Sequence, residues 1–349
     1  MSLLSDVRSL GFVCLLLAAV SGGCVSSPQE SEPMDAGMMD AGGVDAQEGA
    51  DAEEMDAESD GEGGACSEGY ARPIDGGPMG DELVLEASGL AASRVTPGML
   101  WTHNDSGDGA VLYAMAEDGA AMGRLTLEGV EAKDFEDIAA ARCPDGQGEC
   151  LWVADVGNNA LERDDLVIHV VREPDTGGVP FGEISAAPLV SLPVSYPDDA
   201  VDCEALVVTP DGKALFMIEK TNDPRPRIFA HPGSLNLPNP VVLTEAGRFD
   251  SPGVPIDRGY MVTGADMHPT EPRVVVRLYT GVFEYRLEPG ASVVGMDDVD
   301  PLLVVAGPLS EPQGEAVTYD DSGEGIWTVS EDREGMPGQV LHFYGCEEE

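Results

Sequence analysis

Glu136, Glu204 and Glu315 hold the same place in three of five similar segments: Ser88-Gly89-Leu90-Ala91, Glu136-Asp137-Ile138-Ala139, Glu204-Ala205-Leu206-Val207, Thr263-Gly264-Ala265-Asp266 and Glu315-Ala316-Val317-Thr318. Carboxylates set in otherwise apolar strands need partners, because burying a bare charge is costly. Those partners are either a hard cation and transferable protons, or backbone N–H groups and arginines that fix the packing between units. The sequence leaves both readings open.

A second set of polar groups closes the apolar strands that follow these segments: Asn104-Asp105, Asp155, Glu219-Lys220, Arg277 to Tyr279, and Ser330-Glu331. If the fold gathers these strand ends at one mouth, oxygen donors crowd together and repel unless a cation or raised pKa values neutralise them. Ca²⁺ accepts six to eight oxygens in loose geometry. Asp105, Asp155, Glu136, Glu204 and Glu315 are therefore the candidate calcium ligands, and Asn104, Lys220, Arg277, Tyr279 and Glu331 the candidate ligand-binding residues. Lys220 and Arg277 either hold an anionic group or balance neighbouring carboxylates. His103 is the one histidine expected at the mouth. His103 or Glu136 is the candidate catalytic base, set against a purely structural role.

Other chemistries lack their usual signatures. NDSGDG at Asn104 to Gly109 suggests a calcium loop, but Met115 stands where an EF-hand needs its closing Glu. No GxSxG, HExxH, CxxC, Walker GK[ST] or GxGxxG is present.

The elements that must position these residues follow from the repeat. Each segment leads through a Pro-, Asp- or Gly-rich turn into an apolar strand: LWTHND, LWVADVGNN, LFMIEK, VVVRLY and IWTVSED. Trp101, Trp152 and Trp327, all the tryptophans of the chain, fall at one equivalent position of these strands, with Phe216 and Val275 in the other two. Further Val-, Leu- and aromatic-rich runs, punctuated by Gly and Pro, give about four short strands per unit. Successive anchors lie 48, 68, 59 and 52 residues apart. That pattern predicts an all-β fold, a β-propeller of five four-stranded blades over 65–349, with six blades as the alternative if the long gap after Glu136 hides a degenerate one. The last blade lacks an outer strand, and Glu82 to Glu86 is expected to supply it from the N-terminal side.

The segments ASGLAAS, LWTHNDSGDG, DFEDIA, WVADVGNN, DCEALVV and PQGEAVTY resemble an uncharacterised family of secreted bacterial propeller-like proteins. More distantly, the blade anchors are similar to the calcium-dependent propeller hydrolases of the esterase-like phytase and gluconolactonase or paraoxonase groups. The first resemblance implies the fold and a site outside the cytoplasm but no reaction; the second implies calcium and hydrolysis.

Residues 1–23 read as a lipoprotein signal peptide: LGFVCLLLAAV is too short to span a bilayer permanently, and Ser21-Gly22-Gly23-Cys24 resembles a lipobox with Cys24 as the lipidated residue. Val25 after it favours, by that resemblance, the outer membrane of a cell envelope, on its periplasmic face or at the cell surface. Residues 24–64 form an acidic tether, with 13 Asp and Glu and no Lys or Arg after Cys24, too polar to fold alone. The whole chain carries 18 Lys+Arg against 65 Asp+Glu in 349 residues, a net charge of −47 that speaks against nucleic-acid binding. In an oxidising compartment Cys143 and Cys150 pair across a short turn, and Cys66 with Cys346 ties the two ends of the domain; Cys203 is left as a buried thiol. The expectation is a monomeric, lipid-anchored envelope protein whose propeller binds a small molecule, carbohydrate or peptide, with Ca²⁺ at the mouth. The alternative is a calcium-dependent hydrolase of esters, lactones or phosphoesters.

Overall fold

Small side chains decide where the innermost strands go. ASGLAA, CEALVV and VTGADM are rich in Ala, Gly, Ser, Thr, Val and Leu, with few bulky side chains, which lets several strands converge on one axis without overpacking. The computed structural model describes Cys66 and residues 69–197, 199–231, 240–306, 311, 313–331 and 340–347. The leader, Cys24 and the acidic tether lie outside the described residues.

Strand β1 (Ile74–Pro78) precedes the first blade, β2 (Ala87–Ala92), β3 (Met99–Asn104), β4 (Val111–Ala116) and β5 (Ala121–Leu127). The second blade begins with β6 (Phe135–Arg142), β7 (Glu149–Asp155) and β8 (Val167–Arg172). The chain then crosses back as β9 (Gly182–Ala186), which lies parallel to β5 on the outer edge of the first blade, before β10 (Val190–Ser195) completes the second. The third blade shows the same device. After β11 (Cys203–Val208), β12 (Leu215–Glu219) and β13 (Arg227–Ala230), the short β14 (Val241–Val242) pairs in parallel with β10 of the preceding blade, and β15 (Thr244–Arg248) finishes the third. The fourth blade is β16 (Val262–Met267), β17 (Arg273–Leu278), β18 (Gly281–Arg286) and β19 (Leu302–Ala306), and the fifth is β20 (Gly314–Tyr319), β21 (Gly325–Ser330) and β22 (Val340–Gly345). A short 3₁₀ turn at Val293–Asp298 is the one helical element among the described residues, and no helix there is long and apolar enough to cross a membrane.

The protein is thus a five-bladed β-propeller, and the six-blade alternative falls away. The 68- and 59-residue spacings hold straps onto the neighbouring blade, β9 and β14, rather than a further blade. The ring is sealed from the N-terminal side by β1, antiparallel to β22 as the fourth strand of the last blade. That strand is Ile74–Pro78, not the expected 82–86. Asn104 Oδ1 accepts the amides of Leu85 and Glu86 at 2.8 and 3.0 Å, which turns that segment into an entry loop instead of a strand. The Cys66–Cys346 disulfide sits at this seam, and Cys143–Cys150 closes the β6–β7 turn. Cys203 is free and buried.

Five apolar clusters fill the five spaces between blades. The register read from the tryptophans holds in every blade. Trp101, Trp152, Phe216, Val275 and Trp327 pair with Ala91, Ala139, Val207, Asp266 and Thr318, each three residues beyond its anchor. Each of the five packs into the cluster shared with the next blade. The space filled by the smallest of them, Val275, also receives a polar network: buried Glu284 accepts hydrogen bonds from Tyr70 Oη at 2.7 Å and Tyr319 Oη at 3.0 Å.

Candidate functional site

Every anchor residue is the extra residue of a β-bulge. The register of the innermost strand against its neighbour shifts between Ala87 and Leu90, Phe135 and Asp137, Cys203 and Ala205, Val262 and Gly264, and Gly314 and Ala316. A bulge leaves one residue out of the ladder and re-aims its side chain. Here it turns Ser88, Glu136, Glu204 and Glu315 into one cavity of about 330 Å³ at the channel mouth; Thr263 instead donates to the Gly314 carbonyl at 3.0 Å. Asp105, Lys220, Tyr279 and Glu331, each the residue just past the end of a second strand, complete the wall with Glu86, Ser106, Asn159, Arg258, Met261 and Gln313.

The charges are distributed unevenly. On one side Asp105, Asp134 and Glu136 bring carboxylate oxygens within 4.8 Å of one another. Glu136 is only 3% exposed, and its Oε1 has no hydrogen-bond partner among the described residues; nor has Asp105 Oδ1. Burial, with the charges of Glu204, Asp105 and Asp134 adding to it, lifts the Glu136 pKa well above the ordinary carboxylate range. Burial and the Asp134 carboxylate push Asp105 up to about 7. On the other side Lys220 is ion-paired with Glu204, whose own pKa burial still raises. Burial pulls Lys220 down, but the Glu204 carboxylate outweighs it and the amine stays firmly protonated. Gln313 Nε2 bridges Glu315 and Glu331, which burial and neighbouring carboxylates bring to about 8 and about 7.

Several predicted site residues lie behind this wall. Asn104 holds the first entry loop through Leu85 and Glu86, and its Nδ2 donates to Asp108 at 2.7 Å. Asp155 does the same in the second blade: it accepts the amides of Lys133 and Asp134 at 3.1 and 3.0 Å and pairs with Arg163. Both sit at the last paired position of a second strand, where the nearest unsatisfied donors are the amides of the adjoining entry loop. Their side chains position Glu86 and Asp134 and do not line the cavity. Arg277 is buried against Glu311 in an ion pair at 2.6 Å. His103 is fully buried, edge-on to Phe135, with Nδ1 at 3.0 Å from the Asn104 carbonyl, and burial lowers its pKa to about 4. Neither Arg277 nor His103 reaches the cavity wall.

Asp134, Glu86, Gln313 and Arg258 are positions of the candidate site that the sequence reading missed. The first three share a signal: each stands two residues before an anchor, at the position that Asp202 and Met261 occupy in the other two blades. Arg258 lies in a long loop with no counterpart in the repeat. Asp137, also passed over, plugs the axis, with Oδ2 accepting the amides of Leu206 at 2.8 Å and Ala265 at 3.4 Å and Oδ1 that of Ile138.

The residues present fit a hard cation. The donors are all oxygen, two buried carboxylate oxygens lack partners among the described residues, and Ser106 and Asn159 can add neutral oxygens. Gly157 closes the cluster from behind: a Cβ there would overlap Glu136 Oε1 and Asp134 Oδ2, so a larger residue would have to displace the two carboxylates.

No protein-family model matches the chain. A search of curated proteins likewise gives no match.

Proposed function

We propose that the channel mouth is a Ca²⁺ site and that the propeller is the ligand-binding module of a lipid-anchored protein of the cell envelope. The observation that carries the cation reading is Glu136 Oε1, buried, without a hydrogen-bond partner among the described residues, and close to Asp105 and Asp134. Leaving a buried acceptor unmatched costs about 1–3 kcal/mol, more when it is charged, and a bound cation removes that cost. Two disulfides support an oxidising compartment, and the Gly23-Cys24 ending of the leader supports lipidation there.

Calorimetric titration of Ca²⁺ into the chain tests the first part. Uptake at one site, weakened at least tenfold by Glu136→Gln, is the expected result; no uptake would remove the reading. Mass spectrometry of the mature N-terminus tests the second, and an unmodified peptide containing Cys24 would defeat it.

A second reading, a calcium-dependent hydrolase of esters, lactones or phosphoesters, draws support from Glu331 and Glu315, which can hold and release protons near neutral pH across the cavity from the cation cluster. A bound cation would polarise the oxygen of the scissile group. An esterase, lactonase and phosphatase screen of the calcium-loaded chain, with Glu331→Gln as control, separates the two.

A further inference from the structure

Among the described residues Arg258 is the one guanidinium that lines the mouth, and it is set there by a strained loop. Its φ of 60° lies in the left-handed region, which a residue with a long side chain adopts only when its surroundings over-determine it. The surroundings do so. Gly253 and Gly259 close the loop on itself so tightly that a Cβ at Gly253 would overlap the Gly259 carbonyl, and one at Gly259 the Val254 carbonyl. The Val254 amide donates to the Gly259 carbonyl at 3.2 Å, and the Met261 amide to Arg258's own carbonyl at 3.3 Å. Tyr279 then fixes the side chain, its ring centroid 5.8 Å from the guanidinium carbon.

Despite the carboxylates around it, Arg258 forms no ion pair among the described residues, whereas Lys220, on the same ring at 5.7 Å, is tied to Glu204. An exposed guanidinium with free donors thus borders the same cavity as the Asp105, Asp134 and Glu136 cluster.

We infer that Arg258 is the anion-recognising residue of this site, and that the ligand is a small organic carboxylate whose oxygens reach both the bound cation and the Arg258 fork. This rests on the calcium reading above. A planar guanidinium matches a carboxylate with two parallel N–H···O bonds. A phosphate-type dianion is disfavoured, because Glu86, Glu204, Glu315 and Glu331 line the remaining wall and, beside the bound cation, Arg258 is the one uncommitted positive group among the described residues that line the cavity. The cavity, about 330 Å³, is at the small end of the range for ligand pockets and admits a small organic acid.

The test uses the full chain and two probes, L-lactate and methylphosphonate. Ca²⁺ binding is measured first by calorimetry in the absence of either probe; its failure would sink the calcium reading, and this inference with it. Lactate is then titrated into the calcium-loaded protein. Expected is one lactate per chain, bound about tenfold more weakly by Arg258→Gln, with Arg258→Lys between the two because an ammonium keeps the charge but loses the fork. Ca²⁺ affinity without lactate should be held or slightly raised in Arg258→Gln, since a positive charge has left the mouth. Absence of lactate binding, lactate affinity equal in the wild type and Arg258→Gln, or tighter binding of methylphosphonate than of lactate would each overturn the inference while leaving the calcium reading intact.

Discussion

Glu136 and Asp137 are neighbours in the chain, yet a single bulge sends them to opposite tasks. Glu136 enters the mouth with an unpartnered carboxylate oxygen, and Asp137 takes the axis, where its carboxylate accepts backbone amides from its own strand and from the third and fourth blades. In the proposed reading one is a ligand for the cation, and the other ties three blades together.

That division predicts a clean separation by mutation. Glu136→Gln should weaken Ca²⁺ binding at least tenfold while leaving the melting temperature of the calcium-free protein unchanged or raised, because a buried, strained acid has been removed. Asp137→Ala strands the Leu206 and Ala265 amides and should cost about 1–3 kcal/mol for each donor left unsatisfied. Denaturant unfolding of both variants in EDTA, beside calorimetry, checks the pair; equal destabilisation by the two would contradict the assignment.

The ring was legible because its signal repeats. Trp101, Trp152 and Trp327 share one register, and the physical cause is that each fills the space against the next blade. Glu136, Glu204 and Glu315 were legible for the same reason, as equivalent bulge positions. Asn104 and Asp155 misled because strand-end polarity alone does not say which way a side chain turns. Loop amides claimed both; the residue after Asn104, Asp105, lines the cavity, whereas the residue after Asp155, Val156, does not. Arg258 was beyond reach, since its placement depends on how Gly253 and Gly259 fold a non-repeating loop.

Trp152 is fully buried in the cluster between the second and third blades. Trp152→Ala should destabilise the domain by about 3–5 kcal/mol, the range for removing a large aromatic from a packed core. Val275→Ala, at the equivalent register of the fourth blade, should cost about 2 kcal/mol, in proportion to the apolar groups deleted. Guanidinium unfolding midpoints compare them, and a larger loss at Val275 would mean that the five interblade spaces are not equivalent in the way the register implies.

The two disulfides should differ in weight. Cys66–Cys346 spans 280 residues and Cys143–Cys150 spans 7, so chain-entropy reasoning gives the first about 3 kcal/mol more stabilisation than the second. Paired Cys→Ser variants, Cys66 with Cys346 and Cys143 with Cys150, measured by thermal melting, should show the larger drop at the seam that β1 closes. Equal drops would indicate that the β1–β22 pairing holds the ring without the bond.

The mouth carboxylates also set a pH dependence whose sign is fixed. Asp105 and Glu331 stand at about 7 and Glu315 at about 8 in the folded protein, against about 4 for free carboxyls. A raised folded pKa gives stability that is present in full below the unfolded value and is lost as pH rises through the folded one. His103, lowered by burial to about 4, and His169 and His268, also lowered by burial, act oppositely, but only below their ordinary value near 6.5. Above pH 6.5 the carboxylates act alone, so the melting temperature in EDTA should fall from pH 6.5 to 8. Ca²⁺ needs the deprotonated acids. Its stabilising effect should therefore grow over the same interval, and binding at pH 7 should release protons, seen as a calorimetric heat that changes with the ionisation enthalpy of the buffer. A calcium-free melting temperature that is flat between pH 6.5 and 8 would show that these carboxylates are not held protonated by their burial.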